Sequence, residues 1–263
     1  MKKYLYIYKS EVMTNLQYAF DFFIGFISYI ILIYIFLNLW KYIYSDPNEL
    51  INGYNMSQMI WYVIITEILW MGLGGRKLCN KIVEDVRSGN IAYNINKPYN
   101  YVEYALSSHL GLATIRIVFV AILGVFLGLL FLHTIPTFTF LQVLGVIISC
   151  VFATIINTLL IVSIGLIAFF IEDSVPFYWL YSKLILIVGT LFPIEFFPKV
   201  LQPIIKYSPI YVTSYGPAKL FVDFTCSNFT KIIIAQLIYL VISFIICHLI
   251  YNKGVRKLNV NGG

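Results

Sequence analysis

The fold is decided by a long stretch without Asp, Glu, Lys or Arg, which reads IVFVAILGVFLGLLFLHTIPTFTFLQVLGVIISCVFATIINTLLIVSIGLIAFFI at residues 117–171. One membrane-spanning helix needs about 20 apolar residues, so this stretch is long enough for two. Pro136 marks the turn between them, because a proline interrupts the interior of a helix. The stretch predicts an integral membrane protein built from α-helices.

The composition of the whole chain supports this prediction. Of its 263 residues, 60% are hydrophobic and only 11% are charged, whereas soluble domains carry about 25% charged residues. A transmembrane β-barrel would need short alternating segments in place of long apolar runs. The net charge of +6 is explained below by the side of the membrane on which the basic residues lie, so we expect no nucleic-acid partner.

Outward from residues 117–171, further apolar runs predict a single all-α transmembrane domain over residues 1–263. The six predicted spans are 22–40, 56–74, 117–132, 140–170, 177–192 and 232–250. Residues 2–19 predict an amphipathic helix in the membrane interface, with Tyr4, Leu5, Tyr8, Val12 and Leu16 on one side and Glu11 and Asn15 elsewhere. A polar loop at 76–111 and a proline-rich hairpin at 193–231 connect the spans.

The basic residues predict the orientation in the membrane. Six spans place both termini on one side, together with the loop at 76–111. That side carries Lys2, Lys3, Lys9, Arg76, Lys77, Lys81, Arg87, Lys97, Lys253, Arg256 and Lys257, whereas the other carries Lys41, Lys199, Lys206, Lys219 and Lys231. Because cytoplasmic loops are enriched in Lys and Arg, we expect cytoplasmic termini in a plasma membrane. Abundant Ile, Asn, Lys and Tyr are typical of an AT-rich bacterial genome.

Catalytic and cofactor motifs are absent from the sequence. It contains no Gly-x-x-x-x-Gly-Lys-[Ser/Thr] phosphate loop, no His-Glu-x-x-His zinc pair and no Gly-x-Ser-x-Gly nucleophile. The four cysteines show no spacing typical of a metal site or a disulfide framework. We therefore predict that the chain is not an enzyme and binds no metal or cofactor of its own.

Glu67 is the one acid well inside a predicted span. An ionisable group at this depth is a functional candidate by default. It could contact a cationic substrate or a proton, or it could bond to a neighbouring helix, and the sequence leaves these alternatives open.

Two polar or broken segments interrupt the apolar pattern. Residues 84–101, EDVRSGNIAYNINKPYNY, carry both charge signs and two turn signals, Ser-Gly-Asn and Lys-Pro. Five of the nine prolines lie between the last two predicted spans, where residues 192–198 read FPIEFFP. Such a segment is too broken for one span and too apolar for a free loop, so short helices that dip into the outer leaflet fit it best. Within it, Glu195 could hold a gate closed or face water.

These segments, in this order, resemble the permease subunits of type-2 ATP-binding-cassette (ABC) exporters. Arg87-Ser88-Gly89 followed by Lys97-Pro98 is similar to the cytoplasmic loop of one subfamily, and residues 192–198 with Ser208-Pro209 are similar to its outer hairpin. After Gly89 that subfamily has an acid and a leucine-rich run, whereas this chain has Asn90-Ile-Ala-Tyr-Asn-Ile-Asn96. The coupling surface is therefore expected to suit one particular partner.

The resemblance implies roles for particular residues. The segment that couples to the ATPase would comprise Glu84, Asp85, Val86, Arg87, Ser88, Gly89, Asn90, Ile91, Lys97 and Pro98, and the outer gate would comprise Pro193, Glu195, Phe196, Phe197, Pro198 and Pro209. It also implies a separate cytoplasmic ABC ATPase, present in two copies, which would hold ATP and Mg²⁺. A second permease, identical or paralogous, would complete the pathway in the lipid bilayer for an amphipathic substrate such as a drug, peptide or lipid.

Two other functions remain open on the sequence alone. An ion-coupled secondary carrier or channel would use Glu67 and would work without an ATPase. A membrane scaffold or sensor would bind a partner through residues 84–101 and would transport nothing. A membrane enzyme is disfavoured because no cluster of reactive side chains exists.

Overall fold

A computed structural model describes residues 2–17, 23–46, 48–133 and 135–261 of the chain. The α-helices are α1 (Lys2–Gln17), α2 (Phe23–Ile43), α3 (Met56–Leu73), α4 (Gly75–Arg87), α5 (Asn90–Ile95), α6 (Tyr101–Leu132), α7 (Phe140–Leu166), α8 (Val175–Leu184), α9 (Leu201–Lys206), α10 (Gly216–Val222) and α11 (Cys226–Asn261). Two π-helical turns, Ile185–Thr190 and Tyr211–Tyr215, follow α8 and precede α10. Within these residues the structure contains no strand beyond one isolated bridge, which confirms the all-α prediction.

The helices α2, α6, α7, α11 and the continuous pair α3–α4 are each long and apolar enough to cross a membrane. Another predicted span, 177–192, corresponds to a shorter apolar segment, Val175–Thr190. The described residues therefore support a multi-pass membrane protein, while the count of six spans stays a prediction. Residues 18, 19 and 22, which the predicted boundaries include, lie outside the described part of the chain.

Helix α3 is the centre of the bundle. In the most apolar 18-residue stretch of α3–α4, 72% of the residues are buried, compared with 22% in the corresponding stretches of α2, α6 and α11. Its first turn is fixed by a capping box, in which Asn55 and Gln58 exchange side-chain and backbone hydrogen bonds. The Gln58 amide also donates to the carbonyl of Val222, at the end of α10, over 3.0 Å.

Glycines let α6 approach α3 closely. A Cβ added at Gly128 would lie 2.3 Å from the Trp61 ring of α3, and one at Gly124 would lie 3.1 Å from the Ile64 side chain. In lipid, helices associate mainly through such close packing of small residues, because hydrophobic burial gains little there. The fully buried Trp61 therefore depends on a glycine in the facing helix.

Two hydrophobic clusters reach the two ends of the bundle. One runs along α3 and ends where Trp40 and Tyr54 meet residues 194–222, and we call this end the hairpin end. The other joins α4 and α5 to the last turns of α7 and to Tyr251 of α11, and we call this the loop end. Because α3 begins at the hairpin end and its 18 residues lead directly to α4, the two ends are separated by roughly 27 Å at 1.5 Å per residue.

Helix α1 packs lengthwise on the first half of α6. The Glu11 carboxylate accepts a hydrogen bond of 2.8 Å from Ser108, and the Tyr8 hydroxyl donates one of 3.1 Å to Thr114. Tyr8 and Glu11 therefore lie on the side of α1 that contacts α6, whereas Leu5 and Leu16 are 69% and 56% exposed. The placement of this helix in the membrane interface stays a prediction.

Candidate functional site

The segment predicted to couple to an ATPase forms a sharp helix–turn–helix at the loop end. Helix α4 ends at Arg87, and the Ser88 side chain and backbone N–H both donate to the carbonyl of Glu84, over 2.7 and 2.9 Å. Gly89 then adopts a left-handed conformation with φ of 77°, which glycine tolerates without strain. Helix α5 starts immediately afterwards, so only Ser88 and Gly89 separate the two helices.

Three of the ten predicted coupling residues point inward and anchor this turn. Val86 and Ile91 are buried, with 9% and 0% of their surface exposed, in the cluster of the loop end. The Asp85 carboxylate accepts a hydrogen bond of 2.7 Å from the Tyr101 hydroxyl at the start of α6. These contacts fix the turn on the helical bundle.

The other residues of the turn form an exposed face. Glu84, Arg87, Ser88, Gly89 and Asn90 are all exposed. A further member of this face, not predicted from the sequence, is Tyr93 of α5, which is 70% exposed. The signal that could have found it is an aromatic residue inside the one long polar segment of the first half of the chain.

Lys97 and Pro98, at the end of the segment, contact α5 and α1. The Lys97 ammonium donates a hydrogen bond of 3.0 Å to the Asn94 side chain and lies 4.4 Å from the centre of the Tyr93 ring. The carbonyl of Pro98 accepts a hydrogen bond from Lys3 of α1. The next turn also contacts α1, since the Asn100 N–H donates to the Tyr4 hydroxyl over 3.0 Å.

Two grooves flank Arg87 on the loop end. One, of about 510 Å³, lies between Arg87 and Lys257 of α11, and Glu172 also lines it. The other, of about 500 Å³, lies between Arg87 and Asp173. Both acids lie between α7 and α8, so three separate parts of the chain surround the turn. The predicted coupling set did not include Glu172, Asp173 or Lys257, because they are distant from it in sequence.

The predicted gate residues pack closely together at the hairpin end, and we call this group the gate cluster. Pro193 precedes a single 3₁₀ turn, Ile194–Phe196, and Ile194 is fully buried. The Phe196 ring packs edge-on against Trp40 of α2, with centroids 5.6 Å apart. The carbonyl of Phe197 accepts a hydrogen bond of 2.9 Å from Gln202, and that of Pro198 begins α9 by accepting one of 2.8 Å from Leu201. The carbonyl of Pro209 accepts one of 2.9 Å from Thr213.

Glu195 is the polar centre of the gate cluster. Its two carboxylate oxygens accept hydrogen bonds from the hydroxyls of Tyr54, over 3.0 Å, and Tyr215, over 2.6 Å. The Lys219 ammonium lies 3.9 Å from the same carboxylate and 2.9 Å from that of Asp223. Glu195 therefore joins the loop before α3 to the second π-helical turn and to α10.

The two tyrosines show the electrostatic consequence of this arrangement. Burial, followed by the negative charge of Glu195, raises the pKa of Tyr54 far above its ordinary value. Burial also raises the pKa of Tyr215, and the neighbouring Tyr54 and Glu195 raise it further. Both phenols therefore stay protonated, and each keeps the proton that it donates to Glu195.

The two π-helical turns meet beside α3. The carbonyl of Gly189, in the first turn, accepts hydrogen bonds from Tyr62 of α3 over 3.0 Å and from Ser214 of the second turn over 2.8 Å. A Cβ at Gly189 would lie 2.8 Å from Ile210. Wide π turns often occur at functional positions, and no sequence pattern identified these two.

Glu67 lies in the interior of α3 with none of its surface exposed. Neither carboxylate oxygen has a hydrogen-bond partner among the described residues. The residue lines none of the grooves described above. The structure thus buries the side chain that the sequence offered as a substrate contact.

The described residues contain no group of three or more His, Cys, Asp or Glu side chains that could hold a metal ion. The four cysteines are free, and two of them, Cys79 and Cys247, are buried.

Comparison with known proteins identifies one family. The family model described as "ABC-2 family transporter protein" matches residues 15–262, which is nearly the whole chain. No curated protein matches the sequence.

Proposed function

This chain belongs to the ABC-2 transporter family, and from that membership we propose that it is the permease subunit of an ATP-driven exporter. Family membership makes it a membrane component of an ABC transporter, which works with an ABC ATPase. Our proposal goes further in three respects: the direction of transport is export, the ATPase is a separate cytoplasmic chain, and it docks on the exposed face of residues 84–98.

The observation that carries the docking proposal is that some residues of the turn are anchored to the bundle while others are exposed. Val86, Ile91 and Asp85 bind it to the bundle, while Glu84, Arg87 and Tyr93 face outward. A rigid element with an exposed polar and aromatic face can transmit a push from a partner, because its anchors cannot move without the helices they contact. The flanking grooves would accept side chains of the partner on both sides of Arg87.

The chemistry of ATP hydrolysis belongs to the partner in this proposal. Two ATPase copies would bind ATP and Mg²⁺ between them, and their closure would press on the docking turn. This chain would contribute position and leverage, with α4 and α3 in succession connecting the turn to the hairpin end. A second permease, identical or paralogous, would supply the other half of the pathway.

The hairpin end would then act as the outer gate. Phe196 packs on Trp40, and Glu195 holds Tyr54 and Tyr215 together. Opening the pathway there would require these contacts to separate as a group. The distribution of Lys and Arg supports an orientation with this end outside and the loop end in the cytoplasm.

Co-purification with a charge-reversed variant tests the proposal. The tagged chain is purified in mild detergent from its native cells, and the bound proteins and ATP hydrolysis are measured. We expect a stoichiometric ATPase that is lost in Arg87→Glu. The matched control is Lys231→Glu, an equal charge change at an exposed residue of the hairpin end, which should retain it. Purification of the wild-type chain without an ATPase, or equal retention by both variants, would overturn the docking proposal.

A second permease is tested in the same sample. Two differently tagged copies of the chain are expressed together and purified through one tag. Recovery of the other tag indicates a homodimer, and recovery of a different multi-pass protein indicates a heterodimer. Recovery of neither contradicts the proposed pairing.

A further inference from the structure

The structure holds a cavity of about 490 Å³ that the proposed docking turn and outer gate do not use. It lies at the end of α3 nearest the loop end, where α3 meets α4, and α7 and α8 form its other walls. The buried Thr213 and Ser214 of the second π-helical turn also line it. Cavities of this size accommodate ligands of roughly drug size.

Charge of one sign lines this cavity. Its described lining residues include the basic side chains Arg76, Lys77, Arg116 and Lys183, and they include no Asp or Glu. Of these, Arg76, Lys77 and Lys183 form no salt bridge with any carboxylate in the described parts of the chain. Cations gathered in a cleft with low-dielectric walls attract anions and repel cations.

The cationic lining is built into the backbone of the α3–α4 corner. Gly74 has φ of 49°, and a Cβ there would lie 1.9 Å from a guanidinium nitrogen of Arg116. The guanidinium therefore packs directly on the corner, in a place that only a glycine leaves open. A Cβ at the neighbouring Gly75 would lie 2.4 Å from Ile161 of α7, so the same corner also fixes the opposite wall.

The remaining wall is aromatic and open to the outside. Trp70 of α3 and Trp179 of α8 line the cavity, and Trp179 is 58% exposed. The Lys183 ammonium lies 5.2 Å from the centre of the Trp179 ring. Helix α8 also exposes Leu180 and Leu184. An apolar chain could therefore lie along α8 while an anionic group enters the cavity.

We propose that this cavity binds the anionic headgroup of an amphiphile, a phosphate or carboxylate carried on an apolar chain. Arg76, Lys77 and Lys183 supply the charge at the mouth, and Arg116 supplies a planar donor suited to such oxygens. The headgroup has two possible sources, a lipid of the surrounding bilayer or the transported substrate. Only the second source rests on the proposed exporter function, and it would make the cargo anionic.

Direct binding to the full-length chain tests the anion site without the ATPase. The chain is placed in phosphatidylcholine nanodiscs, and bromododecyl phosphate is titrated while quenching of tryptophan fluorescence is measured. Bromine quenches on contact, and Trp70 and Trp179 line the cavity whereas Trp40 and Trp61 are buried in the core. Bromododecyl-trimethylammonium, with the same tail and the opposite charge, is the matched ligand.

We expect saturable quenching by the phosphate, at a concentration that rises about tenfold in the double variant Arg76→Gln/Lys183→Gln, because two charge-assisted contacts are lost. The charge-preserving Arg76→Lys/Lys183→Arg should bind like the wild type. So should Lys199→Gln/Lys231→Gln, which removes two exposed charges near the hairpin end. Equal quenching by the cationic ligand, or an unchanged titration in the first variant, would overturn the site.

Two further arms separate the sources of the headgroup. Phosphatidylglycerol in the nanodiscs should compete with the phosphate probe if a bilayer lipid occupies the site. If the occupant is cargo, dodecyl phosphate should stimulate ATP hydrolysis by the purified complex and phosphatidylglycerol should not compete. Either result upholds the anion site. Absence of a co-purifying ATPase would overturn the exporter proposal and leave the quenching result unaffected. Loss of charge selectivity in quenching would overturn the anion site and leave the exporter proposal unaffected.

Discussion

The hydroxyl of Tyr215 donates a hydrogen bond of 2.6 Å to Oε1 of Glu195. The two residues belong to different parts of the hairpin, and Tyr54 completes the arrangement from the loop before α3 with its own bond of 3.0 Å. A carboxylate that accepts bonds from two largely buried phenols stabilises the packing of three segments at once. Glu195 therefore adds polar contacts to the apolar packing of the hairpin end.

Replacement of Glu195 should destabilise this end in proportion to the bonds removed. Glu195→Ala leaves both tyrosine hydroxyls without their acceptor and should cost about 2–4 kcal/mol, since hydrogen bonds to charged groups contribute the most. Glu195→Gln keeps one acceptor oxygen and should fall between Ala and the wild type. Thermal unfolding in detergent measures the effect. Glu49→Ala, at an exposed acid near the same end, is the control, and a melting temperature of Glu195→Ala equal to that of this control would contradict the assigned role.

The close contact between α1 and α6 gives a prediction about the amino-terminal helix. A Cβ at Gly111 would lie 2.7 Å from the backbone oxygen of Tyr8 and equally close to Glu11. Gly111→Val should therefore push α1 away from α6 and free the backbone around Lys9, whose side chain is already exposed. We expect trypsin to cut after Lys9 several-fold faster in this variant. Val118→Leu, on an exposed face of α6, should be cut like the wild type, and equal rates in all three proteins would show that α1 does not depend on Gly111.

The membrane helices could be predicted from the sequence because apolar length is a local property. The uncharged run of 117–171 places two helices, and the structure has α6 and α7 there. The turn at Ser88-Gly89 was equally accessible, because a glycine after a polar helix end indicates a left-handed residue. The structure gives Gly89 that conformation.

Contacts between distant parts of the chain could not be predicted in this way. Tyr54 and Glu195 are 141 positions apart, and no single-sequence pattern pairs them. Arg76 counted in the sequence only as a sign of orientation and Lys183 belonged to no predicted site, whereas the structure brings both to one cavity. The hydrogen bond between Ser108 of α6 and Glu11 of α1 is likewise a contact that apolar spacing does not indicate.

Gly89 gives a prediction that separates docking from folding. The position needs φ near 77°, and a Cβ there would meet no atom within 4 Å. Gly89→Val is therefore penalised only through its backbone, by roughly 1–2 kcal/mol. We expect normal expression with loss of coupling between ATP hydrolysis and transport, because the turn relaxes.

The matched control for that variant is Gly89→Asn, since asparagine adopts the left-handed conformation more readily than other residues with a side chain. It should retain coupling while adding a side chain at the same exposed position. Coupling is measured as substrate moved per ATP hydrolysed in vesicles. Normal coupling in Gly89→Val would show that the turn geometry is not needed, and equal loss in both variants would point to the surface of the residue instead of its backbone.

Glu67 gives the prediction that decides between an exporter and an ion-coupled carrier. Its carboxylate is fully buried without a hydrogen-bond partner in the described part of the chain, and such a group costs free energy relative to an apolar one of similar shape. Glu67→Met should therefore raise the melting temperature, by a gain of about 1–3 kcal/mol, and should leave ATP-driven transport intact. Val63→Met, one turn earlier in α3 and also buried, controls for the effect of a larger apolar side chain and should lower stability through overpacking. Loss of transport in a stable Glu67→Met protein would instead assign the carboxylate to ion or substrate binding, as the carrier hypothesis requires.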